Sequence, residues 1–107
     1  MVFNFYFTET ARKDLDSTLD YITNELCSPI AAQNFGQKVF ESIKNVCTYP
    51  DSGMILKNSF IKDTSIRKVL IENYTLYYKK LDQTIYILRI VYSKRDLNEI
   101  VKQFINK

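Results

Sequence analysis

The side chains best suited to act on an anionic partner are Arg67, Lys68, Tyr77, Arg89, Tyr92, Lys94 and Arg95, all in the second half of the chain. Arginine and lysine stabilise phosphate or carboxylate charge, and a tyrosine ring can stack on a base. The stretch I-L-R-I-V-Y-S-K-R-D, residues 87–96, is the densest case: an apolar strand with an arginine inside it, ending in two cations and an aspartate. The absence of histidine removes imidazole triads and zinc sites of the Cys/His type. Cys27 and Cys47 form no C-x-x-C. Any proton transfer therefore falls to Lys, Arg, Tyr, Asp or Glu, and no metal or other cofactor is expected.

Charge is distributed unevenly. Residues 1–53 carry 4 basic and 7 acidic side chains, net −3; residues 54–107 carry 11 basic and 5 acidic, net +6, together giving the chain's +3. Such a division fits a face that meets a polyanion or an acidic protein, and equally fits an ordinary solvated surface. At 107 residues with 46% apolar or aromatic content, one domain, residues 1–107, with its own core is expected. No apolar run reaches the roughly 20 residues of a membrane-spanning helix. The N-terminus lacks a basic start and a small-residue cleavage site, so a cytoplasmic protein without membrane partners is expected.

The elements that must position these side chains follow from periodicity. Residues 2–7, V-F-N-F-Y-F, read as a strand. Thr8 or Thr10 can cap a helix whose apolar stripe is Ala11, Leu15, Leu19, Ile22 and Leu26. Ser28-Pro29 restarts a second helix with the stripe Ala32, Phe35, Val39, Ile43 and Val46, stopping near Tyr49-Pro50. The two helices form an antiparallel hairpin, which puts Cys27 and Cys47 at opposite ends and too far apart for a disulfide. Residues 54–64 read as a loop or a poorly formed strand. Three strands follow, S-I-R-K-V-L-I, Y-T-L-Y-Y-K-K and T-I-Y-I-L-R-I-V-Y, joined by turns at Glu72-Asn73 and Asp82-Gln83. Ser93, with Asp96 three residues on, can cap a last helix carrying Leu97, Ile100, Val101 and Phe104. The order is β-α-α-β-β-β-α, an α+β fold with an antiparallel sheet packed by the helical hairpin and a C-terminal helix.

Alternation along the strands sorts the candidates. Tyr74, Leu76 and Tyr78 share one face, opposite Thr75, Tyr77 and Lys79. Tyr86, Leu88, Ile90 and Tyr92 lie together, opposite Ile87, Arg89 and Val91. Tyr77, Lys79 and Arg89 then point away from the helices, and only one of Arg67 and Lys68 can join them. Taken singly, each tyrosine reads more readily as packing. Arg67 and Arg89 have a competing reading as structural ion pairs, with Glu72, Asp96 or Glu99.

The element order, with A-R-K-D-L near the start, S-P-I-A-A-Q-N-F opening the second helix and Y-P beyond it, resembles the RelE/ParE superfamily of bacterial toxins. So do R-K-V-L-I-E-N-Y-T-L-Y-Y and I-L-R-I-V-Y-S-K-R-D-L, whose order and spacing carry most of the likeness. The resemblance spans nearly the whole chain. It implies the toxin of a type II toxin–antitoxin pair, neutralised by a cognate antitoxin protein in a hetero-oligomer. RelE-like members cut mRNA on the ribosome, which here would fall to Lys68 and Arg95 with Tyr77 or Tyr92 as proton donor. The arginine that commonly follows the strand tyrosine in that subgroup is replaced by Thr75, and its C-terminal aromatic or histidine has no counterpart. The early R-K-D-L and the I-L-R…R-D run are closer to ParE-like members, which act on DNA gyrase without intrinsic catalysis. On that reading Arg67, Arg89, Lys94 and Arg95 are the candidate target-binding residues, growth inhibition and plasmid stabilisation are the expected roles, and a non-toxic interaction module is a further alternative.

Overall fold

In the computed structural model, residues 3–56 and 65–94 are described. The aromatic run forms strand β1, Asn4–Phe7. Thr8 then adopts an extended backbone and caps helix α1, Glu9–Asp20, accepting the Ala11 N–H at 3.2 Å. Its hydroxyl also donates to the Ile87 carbonyl at 2.8 Å, so one threonine starts the helix and fastens that start to the sheet. Thr10 lies inside the helix.

The last turn of the first helix, Tyr21–Glu25, is π-helical, with the Leu26 N–H donating to the Tyr21 carbonyl. The wider turn shifts the phase of the stripe. Ala11 and Ile22 are buried, but Leu26, expected on the same stripe, is exposed. Ser28 caps helix α2, Pro29–Thr48, by accepting the Ala31 N–H, with proline in the first helical position as expected. All five residues of its predicted stripe are buried, joined by Cys47. Cys27 and Cys47 are both free.

Strands β2 (Met54–Ile55), β3 (Ile66–Ile71), β4 (Tyr74–Leu81) and β5 (Thr84–Tyr92) complete a five-stranded sheet in the order β1-β5-β4-β3-β2. The three-stranded meander matches the expectation, and the poorly formed strand is the two-residue β2. The sheet is mixed rather than wholly antiparallel, because β1 pairs parallel with β5. Everything between those two strands serves as their crossover connection. The expected last helix, capped by Ser93, would run beyond Lys94, outside the described residues. Ser93 itself exchanges a hydrogen bond with the Thr75 hydroxyl at 2.8 Å.

The pairing of β4 with β5 slips by one residue: Tyr77 faces Arg89, yet Tyr78 faces Ile87. Leu88 is thus the extra residue of a bulge, and a bulge reverses the alternation beyond it. This corrects the expected grouping of β5. Ile85, Ile87 and Ile90 all join the core under the helices, with Leu76, Tyr78, Phe35, Val39 and Ile43. Leu88 and Val91 pack with Leu56, Ile66 and Tyr77 in a second, smaller cluster on the opposite face. No helix among the described residues is long and apolar enough to cross a membrane.

Candidate functional site

The strand register settles which cation joins the face turned from the helices. Lys68 pairs directly across from Tyr77, which pairs across from Arg89; Met54 lies on the other side of Lys68. Lys79 pairs with Ile66 and Tyr86. The back of the sheet therefore carries Lys68, Tyr77 and Lys79 as expected for one of the two adjacent cations, and Arg67 turns the other way.

Arg67 is used in the turn before β2. Its guanidinium donates to the carbonyls of Gly53 at 2.7 Å and Asp51 at 3.3 Å, with the Asp51 carboxylate 3.6 Å away. The same turn is held by Tyr78, whose buried hydroxyl donates to the Pro50 carbonyl at 2.8 Å and accepts the Gly53 N–H at 2.9 Å. Burial pushes the Tyr78 hydroxyl above its ordinary pKa, partly offset by the Gly53 N–H and by Arg67. Gly53 is required here: an added Cβ would collide with the Tyr78 ring and hydroxyl.

Arg89 is only 5% exposed. Its backbone lies in register with Tyr77, and its guanidinium reaches α1. It donates to the two carboxylate oxygens of Asp14 at 2.7 and 3.1 Å, a bidentate pair. Asp14 also accepts the main-chain N–H of Ile90 at 3.1 Å, a donor that β1 is too short to reach. The ionic partner of Arg89 among the described residues is thus Asp14, while Glu72 pairs with Lys38; Asp96 and Glu99 lie outside the described residues. Sequence reasoning missed Asp14, although the signal was there. It sits three residues from Ala11 and four from Thr18, both buried, so a carboxylate there faces the sheet.

Tyr77 is also 5% exposed, and burial raises its hydroxyl pKa against the opposing pull of Arg89. Tyr92 falls on the helix side, packed edge-to-face on Tyr74 with ring centroids 5.7 Å apart. It lines an open groove of about 700 Å³ with Tyr21, Leu26, Phe35 and Tyr74. Lys94 is exposed just beyond β5. Arg95 lies outside the described residues. Lys68, Tyr77 and Tyr92 therefore do not converge: the first two share a face and the third lies on the other. The back face can hold an anion through Lys68. Its tyrosine is buried, which raises the hydroxyl pKa and makes it a weaker acid than a free tyrosine. Among the described residues no cluster of potential metal ligands forms.

A model of the family described as ParE toxin of type II toxin-antitoxin system, parDE, matches residues 5–97. Among solved structures, the chain is similar to one from the chromosomal ParDE toxin–antitoxin system of P. aeruginosa, at 21% identity and a TM-score of 0.69, covering 87% of this chain and 98% of that one. It is also similar to a chain of the RelBE2 toxin–antitoxin complex of Mycobacterium tuberculosis, at 21% identity and a TM-score of 0.59, covering 86% and 99%. A comparison with curated protein sequences finds no match.

Proposed function

The chain belongs to the ParE toxin family of type II toxin–antitoxin systems, and from that premise we propose that it inhibits bacterial growth by binding DNA gyrase rather than by cutting RNA. The observation that carries this choice is the separation of the groups a nuclease would need. Lys68 and Tyr77 share the back of the sheet, with Tyr77 buried and its hydroxyl pKa raised by that burial. Tyr92 lies on the helix side against Tyr74. A 2′-hydroxyl attack on phosphate needs charge stabilisation and proton transfer at one place. A toxin that acts by binding needs only a charged surface and a stable scaffold.

On this reading the contacts to the target come from the exposed Lys94 just past β5, from Lys68 on the sheet, and from Arg95, which lies outside the described residues. Arg67 and Arg89, which also belong to the basic half, contribute by fixing the turn before β2 and the seat of α1. The neutralising partner is a cognate antitoxin, in keeping with the toxin–antitoxin complexes in which the similar structures occur. An acidic segment in that antitoxin would complement the net +6 of residues 54–107.

Pulse-labelling of DNA and protein synthesis within minutes of inducing the chain in a susceptible bacterium tests the proposal. DNA synthesis is expected to fall first, together with a DNA-damage response. An earlier fall in protein synthesis would move the target to the ribosome and its mRNA. Unimpeded growth with soluble protein present would leave a non-toxic interaction module.

A further inference from the structure

A groove of about 700 Å³ opens on the helix side of the sheet, between the π turn that ends the first helix, the start of α2 and the turn joining β3 to β4. The function proposed above makes no use of it. Tyr21, Phe35, Tyr74 and Tyr92 line it with Glu72 and Asn73. Its size suits a side chain together with part of its main chain. The rings stand at steep angles and do not form a flat stack. Tyr74 tilts 59° from Phe35 with centroids 5.0 Å apart, and Tyr92 stands 74° from Tyr74 at 5.7 Å. Rings set this way act as walls, each turning its face in a different direction. Tyr21 is 51% exposed and Tyr92 44%, so both are within reach of a ligand.

What the walls would hold follows from their charge. An aromatic ring is negative on its face, so rings around one space attract a cation. The charged group among the lining residues is the Glu72 carboxylate. Asp20 and Glu25 bound the π turn that carries Tyr21 and add negative charge at the same end of the molecule. The Tyr74 hydroxyl shows the same bias. Burial, then the Tyr21 phenol and more weakly the Tyr92 phenol, push it above its ordinary pKa, against a hydrogen bond with Thr18. A further negative charge is disfavoured here and a positive one favoured. Lys38 does reach Glu72, at 2.6 Å, from an adjoining hollow that it lines with Asn34, Gln37 and Glu41. The two side chains of that pair are 55% and 47% exposed. A pair so open to water is weak, and the carboxylate can accept from a second cation.

The geometry points to this groove as the seat of an arginine side chain presented by a protein partner. Arginine fits better than lysine, because its planar, weakly hydrated guanidinium stacks on a ring face and offers a fork to a carboxylate. Leu26, which lines the groove and is 56% exposed, would cover the aliphatic stem. The contact is opposite in sign to those made by Lys68 and Lys94, so it takes a basic segment and not an acidic one. It stands whichever target the toxin acts on.

Nuclear magnetic resonance on the full chain tests this, with the tyrosine ring signals followed during titration. The probe is a blocked Ala-Gly-Arg-Gly-Ala peptide, with citrulline, uncharged and of the same shape, or glutamate in place of arginine as comparisons. Shifts at Tyr21, Tyr74 and Tyr92 are expected with the arginine peptide, with none at Tyr49, which is 62% exposed and outside the groove. Affinity should fall about tenfold with citrulline and by a similar factor in Glu72→Gln, a change at an exposed position that leaves the fold intact. Tyr92→Leu, which keeps apolar bulk but removes one wall, should weaken the arginine peptide more than the citrulline one. Equal binding of the arginine and citrulline peptides would overturn the proposal, leaving an apolar groove indifferent to charge. Tighter binding of the glutamate peptide would overturn it in the opposite sense. Shifts as large at Tyr49 as in the groove, or none at the groove rings up to about 10 mM peptide, would reject the site itself.

Discussion

Asp14 accepts three hydrogen bonds, two from the Arg89 guanidinium and one from the Ile90 N–H, and so ties α1 to the free part of the β5 edge. Removing one partner of so buried a pair leaves the other charge uncompensated, which costs about 3–5 kcal/mol. Asp14→Ala should therefore lower the urea midpoint by that equivalent. A Asp14→Leu/Arg89→Met double variant should cost much less than the sum of the single changes. Additive losses would mean the pair does not act as a unit. Tyr78 gives a second test at this scale. Tyr78→Phe strands the Gly53 N–H and the Pro50 carbonyl, at a cost of about 1–3 kcal/mol. The folded-state pKa of this hydroxyl is raised, so its contribution is full below the free value of about 10 and is lost as pH rises through the folded pKa. Wild-type stability should thus fall with rising pH above about 10, with a shallower fall in Tyr78→Phe, as read from urea midpoints across that range.

At the scale of elements, most of the fold was legible because each signal was local. Thr8 and Ser28-Pro29 cap helices, the α2 stripe is buried residue for residue, and the turns fall at Glu72-Asn73 and Asp82-Gln83. What was not legible came from insertions that disturb a period. The π turn at Tyr21–Glu25 turns Leu26 outward, and the bulge at Leu88 sends Ile87 to one face and Arg89 to the other. Neither carries a glycine or proline to announce it. The pairing of β1 with β5 depends on a contact between residues some 80 positions apart, which no local pattern encodes. The candidate site suffered more, since whether Arg67, Tyr77 and Arg89 are buried depends on these same long-range contacts. The turns offer a test of their own. Glu72 and Asp82 occupy the first central positions with φ of 54° and 56°, where glycine is favoured. Asp82→Gly should raise stability by about 0.5–1 kcal/mol in a thermal melt. Gly53→Ala should do the reverse, by about 1–3 kcal/mol, because its Cβ would meet the buried Tyr78 side chain.

At the scale of the whole molecule, the sheet separates two tasks. Its helix side is filled by the larger core, and its other side carries a smaller cluster beside Lys68. The basic half of the chain is divided between them. Arg67 and Arg89 are spent on holding the turn before β2 and α1 in place, whereas Lys94 stands exposed at the end of β5. Cations used in structure and cations used on a target should therefore part company when stability and toxicity are measured together. Arg67→Ala and Arg89→Ala should lose growth inhibition only in proportion to lost folded protein, seen as a lower melting temperature and less soluble chain. Lys68→Glu and Lys94→Glu should leave stability within about 0.5 kcal/mol, as exposed or half-exposed changes usually do, and still relieve growth inhibition on induction. If both lysine variants inhibit growth as strongly as the parent, the target contacts do not lie on the back of the sheet or at the end of β5. The search would then turn to the open aromatic groove of about 700 Å³ between Tyr21, Tyr74 and Tyr92 on the helix side.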